Sequence, residues 1–409
     1  MNLVLFDSSA RESLLPLTFA RPVADLRLGT LTIAQKWERR LGATVSMLTQ
    51  DYLSGFFPTK LEEQNLLVNG SVLPTPELLD FILEVPTGTA YYREGELVVA
   101  RFSAEAVIAF ASAHKLAVPQ GGDGPGQEIT KRQLPDLPLF RITHPSDLFT
   151  QNDRAVREDF ALLTAGRTSQ PVSETNTVIG PADQLFVEEG VTLEACTVNC
   201  NTGPVYLGKN AVILEGCLFR GPLSIGTGTV IKMGTKIYGA TTFGPYCKAG
   251  GEINNTIFQA NSNKGHEGYL GNAFIGKWCN LGADTNASNL KNDYSNVKTW
   301  SYTDGGGMRK TDLQFHGLIM GDHCKVGINT MFNTGTVVGF SSNVFGAGFP
   351  PPFLPSFTWG GGEGQQEYRL DRAMATAERV MARRDRPFTE RHRKVFEHIF
   401  AADARYRFS

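Results

Sequence analysis

The chain has 409 residues and is almost electrically balanced, with 39 Lys and Arg against 41 Asp and Glu and a formal net charge of -2. That length allows two domains with sizeable cores, and the missing basic excess argues against a nucleic-acid partner. No run of 18 apolar residues occurs, and the opening MNLVLFDSSARES lacks a basic stretch followed by an apolar one. No membrane partner, no signal peptide and a cytoplasmic location are therefore expected.

The first 160 or so residues read as mixed helix and strand. The apolar residues Leu3 to Phe6 predict a first strand. LTIAQKWERRL (31–41) spaces Leu31, Ile33, Ala34, Trp37 and Leu41 as a helix does. TVSMLT and NLLVNG follow as strands. PTPELLDFIL (74–83) predicts a helix, with Thr75 as its cap and Pro76 in its first turn. The alternation predicts a domain on a parallel sheet. GGDGPGQ (121–127) reads as a loop.

From about Thr177 the pattern changes. Taking every sixth residue gives Leu207, Ile213, Phe219, Ile225, Ile231, Ile237 and Phe243, all large and apolar, with glycine or small polar residues between. A helix repeats at 3.6 residues and a strand at two, so a period of six marks a hexapeptide β-helix. About eighteen residues then close one triangular coil, with the sixth-position side chains stacked inside. The pattern returns at Ile275 and Leu281 and resumes at Met320, Val326, Phe332, Val338 and Val344. Between Asn289 and Phe315 it is broken by a polar stretch with a glycine triplet, read as a loop leaving the coil. Two helical segments follow, RLDRAMATAERVMARR and TERHRKVFEHIF, the second with Thr389 as its cap. They are expected across the open end of the coil, with an arginine-rich solvated face. The domains expected are 1–160, a linker at 161–176, the coil at 177–360 and a helical tail at 361–409. The six cysteines show no metal-ligand spacing and read as small, reduced core residues.

One stretch is too polar for an ordinary core. KGHEGYLGNAFIGKWCNLGADTNASN resembles the acyltransferase domain of the bifunctional enzyme family that acetylates glucosamine 1-phosphate and then uridylylates the product. The family reads K-x-x-H-x-x-Y-x-G-D, then I-G-x-x-x-N-I-G-A-G-T, then an Asn. His266, Tyr269, Gly271, Ile275, Gly276, Asn280, Gly282, Ala283, Thr285 and Asn289 fall in register, and Glu252 lies fourteen residues before His266 as the family's glutamate does. GDHCKVGINTMFNTG is similar to a later segment of archaeal relatives. The likeness spans roughly residues 225–345.

The resemblance implies a left-handed parallel β-helix, acyl-CoA as donor (acetyl-CoA above all), an amino sugar or amino-sugar phosphate as acceptor, and a homotrimer. His266 is the candidate base, since an imidazole with a pKa of about 6.5 suits removal of an amine proton. Glu252 is expected to orient it or hold substrate. Tyr269, Asn280 and Asn289 would bind sugar hydroxyls or the acyl carbonyl. Lys236 or Lys264 would neutralise a phosphate, and backbone near Gly282 and Ala283 would face the oxyanion. Two positions depart from the pattern: Asn254 stands where the family has lysine, and Asn272 where it has aspartate.

The stretch LLPLTFARPVADLRLGTLTIAQKW is similar to sugar-1-phosphate nucleotidyltransferases, which implies a truncated Rossmann-like α/β domain. Pro16, Leu17, Thr18, Pro22, Leu26 and the later LTI match. The glycine-rich phosphate loop is replaced by DSSARES, the lysine after the second proline by Val23, and a magnesium-binding aspartate by Ser71. Arg11, Arg21 and Arg27 are the substitute phosphate binders, and Asp7, Asp25 and Asn152 the candidate metal ligands, with Mg2+ and a nucleoside triphosphate required if this domain is active. Three readings follow: acyl transfer by the coil, nucleotidyl transfer alone with the coil for assembly, and a non-enzymatic sensor of sugar nucleotides.

Overall fold

A computed structural model describes residues 2–119 and 127–407. Residues 121–126 of the expected GGDGPGQ loop lie outside the described residues. The chain forms two compact units. The first comprises Met1–Leu14, Ala20–Leu26 and Leu31–His144, and the second Leu15–Phe19, Arg27–Thr30 and Pro145–Ser409. The expected boundary near residue 160 thus falls earlier, and the helix Asn152–Thr164 belongs to the second unit.

In the first unit six strands form one sheet, in the order Val45–Leu48, Asn2–Phe6, Gln64–Asn69, Glu96–Ser103, Thr89–Arg93, Thr130–Gln133. The first three run parallel, as the sequence predicts. Glu96–Ser103 runs antiparallel to both of its neighbours, so the sheet is mixed rather than parallel. The cause is local. Glu94 and Gly95 both take positive φ, which makes the two-residue hairpin turn that sends the chain straight back. The helix Ile33–Leu41 begins at Thr32, whose hydroxyl accepts from the Gln35 N–H at 3.2 Å while Gln35 Oε1 accepts from the Thr32 N–H at 2.9 Å. Thr75 caps the helix Pro76–Leu83 in the expected way.

The second unit is a coil of three parallel sheets with nine, ten and eight strands, the ten-stranded one ending in an antiparallel strand; this is the architecture expected of a left-handed β-helix. Val205, Leu223 and Thr241 pair in succession at eighteen-residue steps. Every sixth-position residue named above is buried in one continuous core. The six cysteines are free and lie in the same core. The step shortens in mid-coil, where Phe243 pairs with Phe258, fifteen residues on, and Phe258 with Ile275, seventeen on, as it does again near the end from Val338 to Leu354. The sixth-residue rule fails in mid-coil because two coils have lost corner residues.

After Asn289 the chain leaves the coil and returns at Phe315, which forms an isolated bridge with Leu290. Between them lies a hairpin of Lys298–Ser301 and Gly307–Lys310. Ile319–Met320 then pairs with Phe274–Ile275, so the coil continues in register. The helices Leu370–Ala382 and Glu390–Ala402 do not cover the coil's open end. They run along its flank: Arg384 reaches the Tyr246 carbonyl and Asn263, and Phe396 packs on His323, Phe340 and Phe357. The rings of Phe340 and Phe357, on successive coils and buried beneath Phe396, give the second helix its apolar track. Among the described residues no helix is long and apolar enough to cross a membrane.

Candidate active site

The shortened coils put polar residues in register on one outer face. Lys236 pairs with Glu252, and Glu252 with Tyr269, while Ile237, Ile253 and Leu270 between them point into the core. Neighbouring strands lie about 4.8 Å apart, so Lys236 and Tyr269 stand roughly 10 Å apart with the carboxylate between. Tyr238 Oη donates to Glu252 Oε1 at 2.6 Å, which fixes the carboxylate from one side. Burial, and then that hydrogen bond, push the Tyr238 phenol well above its ordinary range, so it stays a donor.

Tyr269 lies back over Gly271. A Cβ at that glycine would collide with the phenol oxygen and with Asn289 Nδ2. The amides of Asn254 and Asn289 lie beside the phenol and oppose the rise of its pKa, which burial dominates. Asn289 Nδ2 also donates to Asn272 Oδ1 at 2.7 Å. The two departures from the family pattern thus lie at this face: Asn272 holds Asn289, and Asn254 stands beside Tyr269, paired in register with Gly271. The loop's return adds a further support, since the His316 N–H donates to the Asn289 carbonyl at 2.9 Å. His316 is buried with its ring edge-on to Phe149, and burial pulls its pKa down to about 4.

His266 sits at the corner just before Tyr269. Its ring is exposed and makes no hydrogen bond among the described residues, to Glu252 or to any other group. Three successive corners stack here. The Glu252 N–H donates to the Gly268 carbonyl, and the Asp284 N–H to the Glu267 carbonyl, so residues 282–285 lie one coil away from His266. Lys264 is the staple of this corner. It is fully buried, and its ammonium donates to the carbonyls of Gly250, His266 and Glu267 at 3.1, 2.9 and 3.2 Å. Burial lowers its pKa to about 8, against the opposing charges of Glu267 and Asp284. It is not available to a substrate phosphate, which corrects the expectation from sequence; Lys236, half-buried and without an ion pair among the described residues, is the cation on this face.

Two other expectations change. Asn280 is on a different sheet, beside Asn263 and Lys325, and does not join Tyr269 and Asn289. The Gly282 N–H is spent on the Val326 carbonyl at 3.0 Å. The Ala283 N–H finds no acceptor among the described residues, and it alone of the pair remains open to an oxyanion.

The N-terminal candidates divide between the units. Asp7 is buried and both its oxygens are engaged, by Thr49 Oγ1 at 2.5 Å and by the Val23 N–H at 2.9 Å, with Arg11 Nε at 3.6 Å. Burial raises its pKa despite those partners. Arg11 also donates to Tyr52 Oη at 2.5 Å. Arg21 is buried and faces Asp25 at 3.8 Å. Arg27 belongs to the second unit and is bound to Gln259 through its main-chain N–H and its Nε at 2.9 and 3.0 Å. Asn152 is likewise in the second unit, donating to the Ala240 carbonyl and Thr242 and accepting from Gly29. Arg27 and Asn152 are thus structural ties rather than phosphate and metal ligands. Ser71 bonds Asn69 at 2.8 Å. Asp7, with both oxygens engaged, does not fit a hydrated magnesium ion, which needs accessible carboxylate oxygens, while Asp25 is half-buried beside Arg21. Among the described residues no cluster of three metal-ligating side chains occurs.

Residues 3–168 match the family model described as Sugar nucleotidyl transferase. A "Bifunctional protein GlmU" of Methanocaldococcus jannaschii is 34% identical over 88 residues, which cover 22% of this chain and 21% of the relative. Another, of Geotalea uraniireducens, is 24% identical over 226 residues, covering 50% of this chain and 45% of the relative. The chain thus spans less than half the length of these curated relatives. A solved structure of an Arabidopsis UDP-N-acetylglucosamine acyltransferase aligns with 58% of this chain and 93% of its own at 13% identity, with a TM-score of 0.20, too low to carry an argument. Over residues 3–168 the chain is thus similar to the sugar nucleotidyl transferase family, and over parts of its length to GlmU proteins, with a parallel β-helix following the matched segment.

Proposed function

We propose that the coil transfers an acyl group from a CoA thioester to the amine of an amino sugar or amino-sugar phosphate. The observation that carries this reading is the outer row Lys236, Glu252 and Tyr269 beside an exposed, unpartnered His266. Lys236 takes the phosphate, the Glu252 carboxylate accepts from a sugar hydroxyl, and the Tyr269 phenol, kept protonated by burial, donates to another. The amine nitrogen attacks the thioester carbonyl carbon while His266 removes its proton. The oxyanion that develops is met by the Ala283 N–H, one coil from His266. As the C–S bond breaks, the thiolate takes that proton back from His266, leaving an amide and free CoA. The active assembly is a homotrimer. The test is acceptor-dependent release of CoA thiol from acetyl-CoA across a panel of amino sugars, their phosphates and nucleotide-linked amino sugars. Release with none of them sinks the reading.

The family match over residues 3–168 favours a second activity, nucleotidyl transfer to a sugar 1-phosphate by the N-terminal unit. Pyrophosphate release from a nucleoside triphosphate that depends on added sugar 1-phosphate would establish it.

A further inference from the structure

The last turns of the coil carry a groove that the acyl-transfer row does not use. The strands Thr358–Gly361 and Gly364–Glu367 form an antiparallel hairpin at the end of the ten-stranded sheet, with Trp359 opposite Gln366. Two cavities, of about 420 and about 330 Å3, adjoin there and share those two residues as a common wall. Both volumes are in the range of small-molecule sites. Trp359 is half-buried between two other rings. Phe345 meets it edge-on with centroids 5.1 Å apart and lines the smaller cavity, and Tyr368 lies at 5.0 Å and lines the larger. Tyr368 is itself fixed, since its hydroxyl lies 2.8 Å from Thr376 Oγ1. The indole is thus held in place from both sides, while its N–H makes no hydrogen bond among the described residues. A glycine clears space in the smaller cavity: Gly346 has a φ of +107°, and a Cβ there would meet Glu363 Oε2 at 3.0 Å.

The polar groups around the indole carry both signs, and several are already spent. Glu367 is tied to Arg407 at 3.0 Å, Arg369 to Asp371 at 2.8 Å, and Arg379 to the Thr376 hydroxyl at 3.2 Å. Glu363, Gln366 and Arg372 remain. All three are exposed, and none of their side chains has a hydrogen bond or ion pair among the described residues. One acid and one base offset each other, so these groups do not select a phosphate or another strong anion. A purely apolar ligand would leave them idle. A molecule with an apolar C–H face and a rim of hydroxyls uses both the flat ring and the planar donors and acceptors beside it. That combination is the chemistry of a sugar.

We propose that this groove is a non-reacting site for an uncharged saccharide of two rings, one in each cavity. The C–H faces pack against Trp359, whose N–H donates to a hydroxyl. The Glu363 carboxylate accepts from the ring in the smaller cavity, Arg372 donates to the ring in the larger, and the Gln366 amide serves both. The acyl-transfer row lies on the eight-stranded sheet instead, so this site does not depend on that reading.

The test is a calorimetric titration of the full chain with cellobiose, maltose, N,N′-diacetylchitobiose and glucose. The expected result is saturable binding of at least one disaccharide, tighter than that of glucose. Trp359→Ala abolishes it, and Trp359→Phe, which keeps an aromatic wall, retains it. Glu363→Ala and Gln366→Ala each weaken it about fivefold, as loss of one hydrogen bond does. Both positions are exposed, so these two variants decide the matter even if Trp359→Ala does not fold. Binding of none of the disaccharides overturns the proposal, as does binding indifferent to both Glu363→Ala and Gln366→Ala. Glucose bound as tightly as the best disaccharide overturns the assignment of two rings.

Discussion

The outer row of the coil and the charged cluster of the N-terminal unit use the same residue types, a cation, a carboxylate and a tyrosine, and use them in opposite ways. In the coil, Tyr238 binds Glu252 through one oxygen, and Lys236 and His266 keep open positions. In the N-terminal unit Asp7 is engaged through both oxygens and Arg11 is shared between Asp7 and Tyr52. A carboxylate held on one side and half-exposed can exchange water for substrate at little cost. One buried and bonded on both sides is a strut, and removing it leaves charged partners behind. The difference supports the proposal that the coil's outer row meets substrate, and it makes the Asp7 cluster a strut.

The largest effect that tests this contrast is at His266. His266→Ala is expected to lower the acyl-transfer rate by roughly a thousandfold, in the range for loss of a general base. Its melting temperature should stay at the wild-type value, because the ring is exposed and bonds nothing. A fall of less than about tenfold would remove the base role. Asp7→Ala should do the reverse. By removing the carboxylate that Arg11, Thr49 and the Val23 N–H share, it should cost about 3 kcal/mol of stability, read as an earlier unfolding midpoint. A midpoint shift near zero would mean that Asp7 is no strut.

Between these lies a pH effect at the loop's return. His316 is buried and neutral, with its pKa pulled from 6.5 to about 4 by burial, while Arg309 pushes the same way and the Gly317 carbonyl opposes. Over that window the unfolded chain binds more protons than the folded one, so stability is present above pH 6.5 and is lost as pH falls toward 4. The loss is worth about 3 kcal/mol. His316→Gln should flatten this slope relative to wild type, as followed by denaturant unfolding at several pH values. An unchanged slope would show that the ring titrates normally.

How much of this was legible in the sequence follows from where periodicity holds. Leu207 to Phe243 repeat at six, and each is buried in the coil's core, because a side chain that must fill the coil interior leaves a regular mark. The site residues lie where the repeat fails. Phe243 and Phe258 are fifteen residues apart in register, so Glu252 and Tyr269 could be placed only by family resemblance, and Tyr238 not at all. Tyr238 is one outward position among many until the register sets it beside Glu252. The role of Lys264 was misread for the same reason: sequence shows a lysine near a histidine, while burial and three carbonyls turn it into a corner staple. The antiparallel strand Glu96–Ser103 had a visible signal in the REGE stretch, whose Glu94 and Gly95 form the hairpin turn. Asn152 and Arg27 carried no such signal, since their partners are about 90 and 230 residues away in the chain, with non-local contacts beyond any short-range rule.

The smallest effect separates holding from chemistry within the coil's own row. The Tyr269 phenol lies beside the Asn254 and Asn289 amides, and burial keeps its proton on at neutral pH. Its remaining capacity is to donate to an acceptor hydroxyl, and that contact is the same before and during nitrogen attack. Tyr269→Phe should therefore raise the acceptor KM about fivefold with kcat nearly unchanged, a loss of about 1 kcal/mol, as for one neutral hydrogen bond. Asn289 retains its bond to Asn272, so the corner should hold its shape without the phenol. If kcat instead collapses as far as in His266→Ala, the phenol is moving a proton, and the division of labour between Tyr269 and His266 must be redrawn.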